Sequence, residues 1–310
     1  MPGSQIFEIL NTAVPVILML AIGMIARRTG LLTREGINAL KSVVVNITLP
    51  AVMLNAFATM NYSARNILIT LMMFLICVGA LYLGKLFAGG SRFIPFLTTG
   101  FEAGMLGYSL FMLLYGQENI SSFACIDLGQ VLFVFTMYKI LLGAQGKQKF
   151  TPKQLAGEML RSPTIIAILC GVILGASGLY RAMVPSGAAG LLDACTDFVS
   201  APTGAVILIT IGYDLVFTGL PWKKLGRAII ARVAVMAAMR VIAGLLVRAI
   251  GMGSSLDAAL NIMFILPPPY VLPVFADDEK ERSFVSSTLS VYTFISILFF
   301  IILTIIAKSA

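Results

Sequence analysis

The stretch Asn261–Ala276, NIMFILPPPYVLPVFA, is apolar enough to lie in a lipid bilayer, yet it cannot be one regular helix. Pro267, Pro268 and Pro269 supply no backbone N–H, and their rings clash with the preceding turn. Pro273 repeats the interruption. In hydrocarbon every unpaired backbone carbonyl is costly, so such a break survives only against protein or a polar cavity. A broken span of this kind is what a membrane carrier uses to build a substrate site at mid-depth.

The rest of the composition agrees with a membrane setting. The chain is 59% hydrophobic and 12% charged, with mean hydropathy +0.96, against about 25% charged in soluble domains. The net charge of +8 does not point to nucleic acid, because the basic residues lie between apolar runs rather than in one patch. There is no histidine, which removes histidine-based catalysis, imidazole metal sites and histidine proton relays. Cys77, Cys125, Cys170 and Cys195 lie in apolar segments with no CxxC pairing and read as small buried hydrophobes. The first apolar run is long and lacks a basic n-region, so it is expected to stay in the mature protein.

A bilayer core of about 30 Å needs about 20 helical residues. Apolar runs of that length predict ten spans, near Ile6–Ala26, Ile37–Phe57, Asn66–Phe87, Phe93–Tyr115, Ser121–Leu142, Pro163–Leu179, Leu192–Phe217, Gly226–Ile250, Leu256–Ala276 and Ser283–Ala307. One set of loops holds Arg27, Arg28, Arg34, Lys85, Arg92, Lys139, Lys147, Lys149, Lys153, Arg161, Lys223, Lys224, Arg227, Lys280 and Arg282. The other holds only Arg65, Arg181, Arg248 and Lys308, while Lys41, Arg232 and Arg240 fall within spans or at their edges. The basic side is expected to be cytoplasmic in a cell inner (plasma) membrane, with both termini outside.

The longest connection divides the chain near its centre. It gives a first five-helix unit over 1–143, a basic cytoplasmic linker over 144–162, and a second unit over 163–310. Five spans per unit force the second to enter with opposite orientation. Pro50 in the second span matches Pro202 in the seventh, and the Gly-rich fourth span matches the Pro-rich ninth. The expected fold is therefore an all-α membrane protein of ten transmembrane helices in two inverted five-helix repeats.

The candidate site follows from the two interrupted spans. The fourth carries Gly100, Gly104 and Gly107, which suit close helix packing, and also Glu102, a carboxylate deep in an apolar run. A local unwinding is expected near Gly104–Gly107, followed by Tyr108 and Ser109. If the second half of each broken span begins at the break, two helix N-termini converge and favour an anion. The carbonyl ends of the first halves suit a cation or a hydroxyl donor. Asp127 and Gln130 share a face of the fifth span; Asn46, Asn261 and Tyr270 complete an expected polar lining with Pro267, Pro268 and Pro269. Glu102 and Asp127 are candidate coupling groups. Arg240, near the middle of the eighth span, is either paired with a carboxylate such as Glu102 or Asp127 or serves as a substrate counter-charge. Asp214 reads as interfacial, Trp222 as an interfacial anchor, and Asp277–Arg282 as a solvated turn.

LPPPYVLPVFADDE, ACIDLGQVLFVF, SAPTGAVILITIGYDL and NITLPAVMLNAF together resemble segments of the auxin efflux carrier family, which includes plant auxin exporters and bacterial carriers of malonate-like acids. The resemblance is spread over essentially the whole chain. It implies ten spans in two inverted repeats, with spans four and nine broken and crossing at the substrate site, and a homodimer. Three positions depart from the family pattern. Glu102 stands where an Asn is common, Ser109 where a Pro is common, and Gln130 where an Asn usually follows Asp-Leu-Gly.

These features predict a secondary carrier of a small organic anion, working in the lipid bilayer by alternating access, without a cofactor and with proton or sodium as the open choices of coupling ion. Glu102 is the expected proton carrier. A rival is a cation/proton exchanger in which Glu102 and Asp127 share an ion. An intramembrane enzyme lacks any supporting motif, and no GxxxxGK[ST] run supports ATP-driven transport. A non-transporting receptor or scaffold would need a larger soluble surface than the linker supplies.

Overall fold

A computed structural model describes residues 3–146, 151–215 and 222–309. Among these every regular element is helical. In chain order they are α1 Gly3–Thr29, α2 Arg34–Ala58, α3 Ala64–Leu86, the short α4 Ile94–Leu97, α5 Ala103–Tyr115, α6 Gln117–Ala144, α7 Pro152–Arg161, α8 Pro163–Ala176, α9 Leu179–Met183, α10 Ala188–Asp214, α11 Trp222–Ala249, α12 Asp257–Ile265 and α13 Glu279–Ser309. Seven of these, α1, α2, α3, α6, α10, α11 and α13, are long and apolar enough to cross a membrane. Their outer faces are rows of exposed apolar side chains, such as Val14, Ile17, Leu18 and Ile25 on α1 and Ile67, Leu71 and Leu75 on α3. In water such rows would be a liability; in lipid they are solvated. The chain thus has the architecture of an integral all-α membrane protein.

Lipid tails are as apolar as leucine, so helices in a bilayer associate through close packing rather than apolar transfer. Here α1 packs along α10, α8 along α2, and α3 against α6 and α11. Glycines allow these close approaches, as two of them illustrate. A Cβ on Gly23 of α1 would lie 2.1 Å from the Ile209 carbonyl oxygen of α10. On Gly175 of α8 it would lie 2.8 Å from the Phe57 carbonyl oxygen of α2. Both helix pairs touch backbone to backbone.

The predicted fourth and ninth spans are each interrupted. Residues 98–102 separate α4 from α5, and α5 opens on a wide π-helical turn, Ala103–Gly107. The break therefore falls before Gly104, earlier than expected. Ser109 lies in continuous helix, its Oγ donating to the Met105 carbonyl at 3.2 Å, so no proline is needed there. Beyond α12 the chain runs irregularly through the prolines into a single 3₁₀ turn, Leu272–Phe275. Pro273 stands in the first turn of that segment, where a missing N–H is tolerated. The ninth span therefore resumes as a turn and not as the helix expected.

Polar contacts fix the two faces. Lys308 of α13 reaches Glu8 of α1 at 3.9 Å, so the first and last described helices end on one face. On the opposite face Arg92 is held by Asp277 at 2.8 Å and Glu281 at 2.5 Å, and donates to the Gln145 carbonyl at 2.6 Å. Hydrogen bonding to Glu281 raises the Arg92 pKa, so the guanidinium of this clamp stays charged. The acidic run Asp277–Arg282 is thus partly engaged rather than simply solvated. Trp222 is exposed, as an interfacial anchor is. The later part of the expected linker is helical: α7 starts on a capping box between Thr151 and Gln154. Lys147 and Lys149 lie outside the described residues, as does Phe217 at the predicted end of the seventh span. Cys77 and Cys125 are buried, whereas Cys170 and Cys195 are exposed, contrary to expectation, because their helix faces point outward.

Candidate functional site

The two interruptions meet. The Glu102 N–H donates to the Pro267 carbonyl at 2.9 Å, joining one break to the other through the backbone. Beside this bond Gly100 adopts φ +67°, and a Cβ there would lie 2.9 Å from Pro269 Cγ. Only glycine meets both demands without strain. Pro267, Pro268 and Pro269 are all buried, which gives their carbonyls protein surroundings instead of lipid.

The breaks expose N–H groups, and Glu102 takes them. Its Oε2 accepts from the Tyr270 N–H at 2.7 Å, and its Oε1 accepts from the Met105 N–H at 3.4 Å, at the start of α5. The position expected to receive a substrate anion is therefore filled by the chain's own carboxylate. The Tyr270 hydroxyl in turn meets Thr293 Oγ1 of α13 at 2.9 Å.

Behind Glu102, Asp127 and Gln130 come together as expected from their shared helix face, and Tyr108 joins them. The Tyr108 hydroxyl donates to Asp127 Oδ2 at 3.1 Å. Gln130 Nε2 donates to Asp127 Oδ1 at 3.1 Å and to the Phe101 carbonyl at 3.2 Å. Asp127 is 1% exposed and Gln130 5%. The Phe101 contact ties this cluster to the first break. Gly107 packs here too, since a Cβ on it would press on Leu266 and Phe123, while Gly104 faces Leu49.

Three expected members lie elsewhere. Asn46 is exposed on α2 and donates to Ser42 O at 2.9 Å and Ser42 Oγ at 3.1 Å. It lies in the π-helical turn Val44–Thr48, where the carbonyl one turn back satisfies its amide. Asn261 accepts from Arg240 Nε at 2.8 Å, and Arg240 also pairs with Asp257 at 2.9 Å. Arg240 is thus paired with a carboxylate, but neither Glu102 nor Asp127 is its partner. The acid one helical turn before Asn261 is closer along that face.

A cavity of about 730 Å³ leads to the crossing from the face that carries the basic loops. Met105 and Tyr270, whose N–H groups hold Glu102, form part of its wall. Its mouth carries Arg34, Lys41, Arg282, Asp214 and Glu279, with Asp214 paired to both Arg34 and Lys41. Ser283, Ser286, Ser290 and Thr293 present hydroxyls down one side. This row was missed in the sequence because apolar neighbours dilute it, although its spacing of three and four residues was readable.

The other omission is Arg232. It lies 1% exposed at the crossing, donating to the carbonyls of Leu97 at 2.9 Å, Gly100 at 2.9 Å and Leu266 at 2.7 Å. Among the described residues no group of three or more Cys, Asp or Glu side chains is gathered as a metal site requires. No model of a known protein family matches the chain, and comparison with curated proteins finds no match either.

Proposed function

We propose that the protein is a secondary carrier of a small organic anion, working by alternating access about the crossing of its two broken segments. The observation that carries this reading is the crossing itself, joined by the Glu102–Pro267 backbone bond and open to one face through the 730 Å³ cavity. Interrupted helices at mid-depth, reached by an aqueous cavity, are how carriers expose polar backbone to a substrate. The N–H groups that converge there already hold one carboxylate, that of Glu102. They therefore have the chemistry to hold another when Glu102 is neutralised or withdrawn.

The reading as two inverted repeats is supported by the helix contacts; ten spans and the likeness to the auxin efflux carrier family are proposed with it on the sequence alone. The Gly23–Ile209 approach joins the first and seventh spans, and the Gly175–Phe57 approach joins the sixth and second. Gly23 to Gly175, Phe57 to Ile209 and Pro50 to Pro202 are each separated by the same 152 residues. One contact is thus the image of the other under exchange of halves. The basic face would be cytoplasmic, and the cavity open inward.

The cation/proton exchanger reading asks Glu102 and Asp127 to share an ion. Each is instead satisfied by its own donors, Tyr270 and Met105 for one and Tyr108 and Gln130 for the other. Flux in proteoliposomes separates the two. Saturable movement of a labelled small dicarboxylate or indole acid is expected. Sodium/proton exchange with no carboxylate flux would instead establish the exchanger.

A further inference from the structure

Arg232 is a buried charge for which no carboxylate serves as ion-pair partner among the described residues. Both terminal nitrogens of its guanidinium donate to backbone oxygens, while Nε has no hydrogen-bond partner among the described residues. Nη1 donates to Leu97 O at 2.9 Å and Thr99 O at 3.5 Å, and Nη2 to Gly100 O at 2.9 Å and Leu266 O at 2.7 Å. The rings of Phe101 and Tyr292 lie 5.7 and 5.0 Å from its centre. Leu97 ends α4, Leu266 follows α12, and Thr99 and Gly100 lie in the first break. Arg232 therefore collects carbonyls of both segments, from the end of α4 and the first break on one side and from just beyond the C-terminus of α12, its negative dipole end, on the other.

Unwound carbonyls and half-helix C-termini are also the groups that coordinate a coupling cation in carriers with broken spans. We infer that Arg232 is a resident cation standing where a coupling metal ion would otherwise stand, so that the crossing works without sodium or potassium. This rests on the carrier reading above, and it narrows the coupling ion left open there. A planar fork of donors can bridge carbonyls from two segments, which a compact ammonium cannot do equally.

The first test needs no substrate. The thermal midpoint of purified wild-type protein is expected to be the same in sodium, potassium and choline chloride, and a sodium- or potassium-specific rise overturns the inference. Arg232→Ala is expected to lower the midpoint by several degrees, and guanidinium chloride at non-denaturing concentration to restore part of that loss where choline does not. No guanidinium-specific recovery overturns it. If Arg232→Ala does not accumulate, Arg232→Lys is measured instead; it keeps a resident cation, so its midpoint is expected to stay the same in sodium, potassium and choline chloride, and a sodium- or potassium-specific rise overturns the inference. In proteoliposomes, carboxylate flux is expected to persist when choline replaces sodium and potassium. Flux that stops in choline overturns the inference while leaving the anion carrier standing. Absence of any carboxylate flux alongside guanidinium recovery sinks the carrier and leaves the cation site.

Discussion

Glu102 is the residue on which the chemistry of the crossing turns. It is both the tether between the breaks, through its backbone N–H to Pro267, and the anion held by the N–H groups of Tyr270 and Met105. A substrate carboxylate entering from the cavity meets a like charge unless Glu102 is protonated or moves aside. Glutamine has nearly the same shape and keeps a carbonyl oxygen for the Tyr270 N–H, but it cannot take up a proton. Glu102→Gln is therefore expected to preserve folding and carboxylate binding while removing the dependence of flux on a proton gradient. Proton-driven uptake that survives in this variant at the wild-type level would end the proton-carrier role. Gly100 is a second residue with little freedom. Alanine there must bear φ +67° and a Cβ 2.9 Å from Pro269, with backbone strain alone costing about 1–3 kcal/mol. Gly100→Ala is expected to lower the thermal midpoint and to slow flux, both measured on purified protein; an unchanged midpoint would mean that the crossing relaxes freely.

Among the elements, the glycine contacts give the sharpest test of the paired halves. Alanine at Gly23 or Gly175 must push two backbones apart, since its Cβ would lie 2.1 or 2.8 Å from a carbonyl oxygen of the facing helix. Overpacking of this kind costs about 1–3 kcal/mol. Both substitutions are expected to destabilise the protein, and a thermal midpoint unaffected by either would remove that contact as a support of the fold. The elements were legible in the sequence to different degrees. Long apolar runs predicted the seven long helices, because hydrocarbon thickness leaves no other secondary structure for them. The breaks were legible from Pro267–Pro269, while the return after them was misread, since one 3₁₀ turn, Leu272–Phe275, stands where a helix was expected. Within the site, Asp127 and Gln130 were found because i, i+3 spacing places them on one face. Arg232 was passed over because its partners are backbone carbonyls from two distant segments, and a carbonyl has no signature in a sequence. Asn46 was misplaced because depth alone put it in the lining, whereas the π-helical turn Val44–Thr48 leaves it on an exposed face of α2.

At the scale of the molecule, the polar contacts sort into those within one bundle and those between two. α2 and α10 are linked by Asn55 with Asp193 and by Lys41 with Asp214, and α8 and α1 pack onto this pair. The segments around the crossing are linked to one another by Arg92, Arg232 and Arg240. Between these two groups, on the face away from the cavity, stand Gln117 with Asp197, which are hydrogen-bonded, and Lys308 with Glu8. A rocking motion that closes the cavity must open this opposite face and part these contacts. Tying Gln117 to Asp197 is therefore expected to hold the molecule with its cavity open. The test replaces both residues by cysteine in a background without the four native cysteines, and joins them with a short bifunctional maleimide. Linked protein is expected to lose carboxylate flux, while a thiol probe placed at Ser290 keeps its access from the basic face. Either singly substituted protein treated in the same way is expected to keep its flux. Full linkage with undiminished flux would show that this face does not part during transport, and alternating access between these two bundles would be ruled out.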